Sequence, residues 1–412
     1  MTQAGGHSTS RWVLVPLVVV AIVVAVVSSA CGSTGNVAVG DQPTAVATAD
    51  LSGSGPGSLI SATSMPAFSR SPEGQLVDAA RVVYRSTNGD SGRQTEVSGS
   101  VFTPKGAAPE GGWPVISFGH GTTGLDEPCG PSVSNTLLGF SSTLVGYVTK
   151  GYAVALADYE GLGSPGVHPY TDAKTAGLNM IDAVRALRHT FDGVSARWAA
   201  VGGSQGGGAA WAADEQAASY APELDLVGAE AYVPAADVTG LVDKAVAGTM
   251  SKDQSLAFEV IVESLARLHP DVVRDDYRRG AAVTYWDVLS ACSGPKAASR
   301  ATAAEAVGSR DFTPATPAAA ERLRTLLRAW ALPQQRLTAP LSVTYAGRDE
   351  FIDAQWTTDA IARACALGGN VEWELQPDKG HGNVDVAAGF GWIADRFAGK
   401  PAANQCPPGG GG

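Results

Sequence analysis

The stretch "AAVGGSQGGGAA" (residues 199–210) decides how this chain is read. It carries the one Gly-x-Ser-x-Gly of the sequence, Gly202-Gly203-Ser204-Gln205-Gly206. Glycine makes up 50 of 412 residues, and at that frequency roughly 0.4 such matches arise by accident, so the five letters count only if their surroundings agree. The surroundings do agree. "ARWAAVGGSQ" is a short apolar run that reads as a buried strand stopping at Ser204, and "GGGAAWAADEQAASYAP" reads as a helix closed by Pro222. A serine on a strand–turn–helix corner takes a strained backbone conformation that exposes its hydroxyl, while the next residue opens a helix whose first N–H groups lack intrahelical acceptors.

Outward from this corner, strands and helices alternate. "RVVYRST" and "QTEVSGSVFTP" predict an antiparallel pair at the start. "WPVISFGHG", "GYAVALADYEGLGSPG", "LDLVGAEAYVP", "APLSVTYAGRD" and "VEWELQP" each read as a strand running into a loop, with "TAGLNMIDAVRALRHTF" and "AAGFGWIADRFAG" at helical spacing. Alternation of this kind predicts an α/β fold with a mostly parallel sheet covered by helices. Residues 66–236 and 338–405 form this core. Residues 237–337 break the rhythm: they contain helical patterns such as "QSLAFEVIVESLARL" and no convincing strand, and so predict a helical cap inserted above the sheet's carboxyl edge. On Gln254–Leu268, Leu256, Phe258, Val260, Ile261 and Leu265 share one face, which either packs inside the protein or helps to line a substrate pocket.

Composition excludes some classes. With 44% hydrophobic and 17% charged residues the chain is globular. A net charge of −11 argues against nucleic acid as a partner. At the N-terminus, Arg11, the apolar run Trp12–Val27 and the small residues Ser28, Ser29 and Ala30 read as an export signal over residues 1–31. Cys31 follows in a lipoprotein-type arrangement that would lipidate it and tie the protein to a membrane, although Ser28 stands where Leu or Val is usual. Plain cleavage and an uncleaved anchor are the alternatives. Residues 32–65 are small, polar and aperiodic and read as a flexible tether, and residues 406–412 as a disordered tail. Export to an oxidising compartment makes Cys129, Cys292, Cys365 and Cys406 candidates for two disulfides, with three pairings open. No spacing suggests a metal site.

A serine hydroxyl needs a base. His7 falls in the signal, and His189 and His269 sit in helical surroundings. His168 ("GVHPYTD") is a weaker candidate, and His120 ("FGHGTTG") comes too early for the chain order Ser…Asp/Glu…His. His381, in "DKGHGNVD" after the last strand, is the best base. The orienting carboxylate is expected from "TYAGRDEFID", where Asp349 directly leaves the strand and is preferred to Asp353, which reads as a helix cap. Oxyanion donors are expected from the backbone of Gln205 and of Gly121 or Thr122. The expected chemistry is ester hydrolysis without metal or organic cofactor. An exported serine peptidase, or a lipid-carrying envelope protein without catalysis, would be the alternatives.

With "GHGTTG", "DYEGLG", "GGSQGG", "AGRDEFID" and "KGHGN" in this order, the chain resembles the secretory lipase family of α/β-hydrolases. Gly203 departs from that family, where a bulkier residue is common before the serine. The resemblance implies hydrolysis of acylglycerols or other acyl esters beneath a helical cap. It also implies the pairing Cys129–Cys292 and Cys365–Cys406, which counting alone leaves open.

Overall fold

A computed structural model describes residues 42–408. Nine strands form one sheet: β1 (Leu59–Ser64), β2 (Val77–Thr87), β3 (Gln94–Pro104), β4 (Trp113–Gly119), β5 (Ala153–Ala157), β6 (Val194–Gly203), β7 (Asp225–Tyr232), β8 (Leu341–Ala346) and β9 (Val371–Gln376). Their order is β1-β2-β3-β5-β4-β6-β7-β8-β9. The first three strands and β5 pair antiparallel, and every pair from β5 to β9 is parallel. The core helices are α1 (Pro66–Ser69), α2 (Ser141–Val148), α3 (Ala173–Thr190) and α4 (Gln205–Tyr220). The cap adds α5 (Gly240–Ala247), α6 (Lys252–Leu268), α7 (Ala281–Leu289), α8 (Gly294–Ala298), α9 (Arg300–Ala306) and α10 (Pro317–Trp330), after which α11 (Ala354–Ala366) and α12 (Gly389–Phe397) return to the core.

Burial explains why the central strands lack a polar/apolar alternation. All five residues of β5, "AVALA", are buried, because helices cover both faces of the sheet. Val115, Ala155 and Ala200 pack toward α3 and α4 on one face, while Ile116, Val154 and Val201 pack with Leu144, Tyr147 and Ile393 on the other. The first helix of that pair starts where Asp172 accepts a hydrogen bond from Thr175 N at 3.1 Å, an N-cap that fixes the start of α3.

The cap has a separate interior. Phe258, Tyr277, Trp286, Phe312, Leu323 and Trp330 are buried together between β7 and β8 in the chain order. Phe258, Val260, Ile261 and Leu265 of α6 belong to this cluster, so most of the apolar face seen in the sequence packs within the cap itself. Leu256 packs against it while only partly buried.

Two sequence readings need correction. Residues 59–64, read as part of the tether, are strand β1, paired with β2 from Leu59↔Tyr84 to Ser64↔Ala80. The segment before it is also fixed: Val46 N donates to Ala62 O at 3.0 Å, and Asp50 N to His189 O at 2.8 Å. Small polar residues here satisfy a sheet edge by backbone pairing, which needs little side-chain hydrophobicity. Cys406, read as the start of the tail, is bonded to Cys365. Residues 1–41, with the export signal and Cys31, lie outside the described residues. Among the described residues no helix is long and apolar enough to cross a membrane.

Candidate active site

Ser204 stands between the last residue of β6 and the first of α4, at φ 59° and ψ −121°. This left-handed conformation is costly for a residue with a Cβ and persists only when its surroundings hold it. The holding is by backbone. Ser204 N donates to Tyr232 O at 2.9 Å, and Ser204 O accepts from Gly207 N, Gly208 N and Ala235 N at 3.0–3.1 Å. The flanking glycines are needed for close approach. A Cβ at Gly202 would strike the Gly206 carbonyl, and one at Gly206 would strike the Gly119 carbonyl at the end of β4.

Asp349 and His381 leave the ends of β8 and β9, two neighbouring parallel strands. Their loops are tied together by Gly347 N to Gln376 O at 2.9 Å and Arg348 N to Lys379 O at 2.8 Å. His381 Nε2 is 2.9 Å from Ser204 Oγ, and His381 Nδ1 is 2.7 Å from Asp349 Oδ2. The other carboxylate oxygen, Oδ1, accepts from Phe351 N and Ile352 N at 2.8 and 2.9 Å. Phe351 also packs on the imidazole, with ring centres 4.8 Å apart. The carboxylate is therefore oriented by its own loop, and the imidazole by the carboxylate.

Asp353 stands at the helix-cap position expected of it, but its side chain is used elsewhere. It is the residue before α11, but its side chain makes no capping bond. It accepts from Lys244 Nζ at 2.8 Å and Gln254 Nε2 at 2.6 Å, both in the cap. A full charge and a buried amide from across the chain outcompete the local N–H groups for the carboxylate.

At the anion side, Gln205 is the first residue of α4, so its backbone N–H has no preceding turn to bond. Gly121 faces the serine: a Cβ there would lie 3.8 Å from Ser204 Cβ. Thr122, next in the turn, has its hydroxyl 2.7 Å from Tyr170 Oη. The disulfides are Cys129–Cys292, joining the loop beyond this turn to the cap, and Cys365–Cys406.

The remaining described histidines lie elsewhere. His120 is buried with its ring between two carbonyls, Gly121 O at 2.6 Å and Asp158 O at 3.1 Å, and burial lowers its pKa. His168, weighed as a base, faces Gln205 Nε2 at 2.9 Å and Glu160 O at 2.9 Å, away from the serine hydroxyl. His189 and His269 sit at the ends of α3 and α6. "DYEGLG" proves to be interior: Asp158 is fully buried, accepts from Ser98 Oγ at 2.6 Å and Ser132 N at 2.8 Å, and burial raises its pKa. Tyr159 of the same motif donates to His120 O at 3.1 Å. Its partners Ser132, His120 and Ser98 lie 26, 39 and 60 residues away in the chain, so the loop has no local signature of this interior position.

The sheet order, the strained serine corner and the cap between β7 and β8 define an α/β-hydrolase fold. The same fold occurs in the crystal structure of Candida antarctica lipase A in its closed state, at TM-score 0.67 and 18% identity over 87% of each chain. It also occurs in a rice cell wall degrading esterase from Xanthomonas oryzae, at TM-score 0.63 and 20% identity over 84% of this chain and 97% of that one. Residues 133–405 match the family described as "Secretory lipase". This chain belongs to the secretory lipase family. It is similar to a protein of Mycobacterium tuberculosis named a probable inactive lipase, with 26% identity covering 80% of this chain and 76% of the relative. It is likewise similar to Lipase 6 of Candida albicans, with 26% identity covering 74% and 70%.

Proposed function

We propose that the chain is an exported serine ester hydrolase that cleaves acylglycerols or other acyl esters through an acyl-enzyme. The observation that carries this reading is the continuous contact from Ser204 Oγ through His381 to Asp349, at 2.9 and 2.7 Å. Ser204 Oγ attacks the ester carbonyl carbon while its proton passes to His381 Nε2. Asp349 holds the tautomer that leaves Nε2 free to accept and stabilises the imidazolium that forms. The tetrahedral oxyanion is received by the N–H of Gln205 and by a second N–H from Gly121 or Thr122. His381 then returns the proton to the departing alkoxide, and the acyl group stays on Ser204 Oγ. Water repeats the sequence, with His381 as base, to release the carboxylic acid and restore the serine.

Export is supported by the family's description, by the pattern of residues 1–31 and by two disulfides. A lipid on Cys31, or an uncleaved anchor, would hold the domain at the cell envelope; plain cleavage would release it. The test is hydrolysis of p-nitrophenyl esters of graded chain length by purified protein, beside peptide amides. Turnover of esters with amides untouched is expected. Bound but uncleaved lipid would instead favour a carrier.

A further inference from the structure

Two residues of one short segment, His168 and Tyr170, each touch one arm of the anion side. At one end, Gln205 Nε2 lies 2.9 Å from His168 Nε2. At the other, Tyr170 Oη lies 2.7 Å from Thr122 Oγ1. The protonation of this bridge follows from its partners. His168 Nδ1 is 2.9 Å from Glu160 O, a carbonyl that can only accept, so Nδ1 carries the proton. Burial pushes the imidazole pKa down to about 3, which keeps the ring neutral. Nε2 is therefore an acceptor, and the Gln205 amide must turn its NH2 toward it. Both bridging residues are buried, His168 at 2% and Tyr170 at 7% exposure, so water does not compete for these bonds. The segment is also fastened to the cap. Ser264 Oγ, on α6, donates to His168 O at 2.6 Å and accepts from Tyr170 N at 2.9 Å.

We infer that His168 and Tyr170 are positioning residues for the oxyanion donors, and that cap residue Ser264 sets their place. This rests on the reading of Ser204 as nucleophile and extends it. Neither residue touches the reacting atoms. Tyr170 fixes the Thr122 side chain and with it the Gly121–Thr122 turn, and His168 fixes the side chain of the residue whose N–H follows the serine. A single segment thereby spaces the two donors, and a cap that lifts from Ser264 would loosen both.

The test compares Tyr170→Phe, Thr122→Val, their double variant and Ser264→Ala with wild type on p-nitrophenyl acetate and on the matching thionoester. A thionoester develops charge on sulfur, a poor hydrogen-bond acceptor, so it draws less on the oxyanion donors. Because full loss of a donor costs about 10²–10³ in kcat, a loosened one is expected to cost about tenfold in Tyr170→Phe, with KM within about twofold. The thionoester rate should fall several times less. Thr122→Val should match Tyr170→Phe, and the double variant should be about as slow as either, since both remove one bond. Ser264→Ala, which leaves both side-chain bonds to the arms in place, should cost about threefold with the same substrate signature. Equal losses on the two substrates, multiplying losses in the double variant, or unchanged kcat in folded Tyr170→Phe and Ser264→Ala would overturn the inference. Wild-type protein that hydrolyses neither ester would overturn the underlying reading instead.

Discussion

At the carboxyl edge of the sheet, Ser204 is held by four backbone hydrogen bonds and by glycines that admit carbonyl oxygens at close range. In the cap, by contrast, Phe258, Trp286 and Phe312 belong to a second cluster, which Leu125, Tyr170 and Trp356 of the core join from below. Polar links from cap to core include Asp126–Arg267 at 2.7 Å, Lys244–Asp353 at 2.8 Å, Gln254–Asp353 at 2.6 Å and Ser264 on the His168–Tyr170 segment, with the Cys129–Cys292 bridge beside them. Backbone bonds within a packed sheet resist displacement, whereas a body with its own core, joined mainly through side chains, has more freedom to shift. The difference teaches a division of labour. On the proposed reading, the edge carries the reacting geometry and the cap governs what reaches it, touching that geometry through Ser264.

The largest effects should come from the edge. Ser204→Ala should fold normally and lose ester turnover by at least about three orders of magnitude, measured as kcat on a short ester. Substantial turnover by pure variant would break the comparison at its centre. Asp349→Asn should cost about 10²–10⁴ in kcat because the imidazole loses its orienting carboxylate. Asp353→Asn, which only weakens a link to Lys244 and Gln254, should change acetate-ester turnover by no more than about threefold. The reverse ranking would move the acid to Asp353 and make the cap part of the reacting geometry.

Much of the edge was legible in the sequence for a physical reason. Parallel strands covered on both faces must be apolar runs, and they end in loops whose glycines and polar residues stand out against them. Ser204 and Asp349 each follow such a run, His381 follows the more polar edge strand β9, and the fold brings those ends together. Other features were hidden. In β1, "LISATS", only Leu59 and Ala62 are buried, so its pattern is too weak to separate from a linker. Asp353 precedes a helix and matches a cap, but the partners that claim it, Gln254 and Lys244, lie 99 and 109 residues away. Tyr170 and Ser264 meet across 94 residues with no local signature.

Smaller effects come from the links between cap and sheet. Replacing both Cys129 and Cys292 by serine should lower stability by about 2–5 kcal/mol, read from thermal or denaturant unfolding, with the fold retained. Kinetically it should alter long-chain esters more than acetate esters; equal changes on both would deny the cap its separate role.

A subtler link lies where the chain returns from the cap to β8. Asp214 of α4 accepts from Thr338 N and Ala339 N at 2.8 Å, and Glu215 accepts from Gln334 N at 3.0 Å. Burial pushes Asp214 up to about 8 and Glu215 up to about 7. A carboxyl whose folded pKa is raised contributes stability that is fully present below the unfolded value near pH 4 and is lost as pH rises through the folded one. Wild-type Tm should therefore fall by about 5 °C between about pH 5 and about pH 8. Asp214→Asn should flatten part of that slope, the remainder belonging to the other carboxyls that burial raises, among them Glu215 and Glu230 to about 7, Asp172 and Asp182 to about 6, and Glu259. Parallel slopes for variant and wild type would show that the return segment is not clamped by an Asp214 carboxyl of raised pKa.

The central claim is that Ser204 forms the covalent bond to the acyl group. A fluorophosphonate reacts with an activated serine at the same atom and leaves a stable adduct that mass spectrometry of the digested protein can locate. One adduct per chain is expected, on the peptide containing Ser204, absent in Ser204→Ala and strongly slowed in Asp349→Asn. An unlabelled wild-type protein, or an adduct on any other residue, would contradict it.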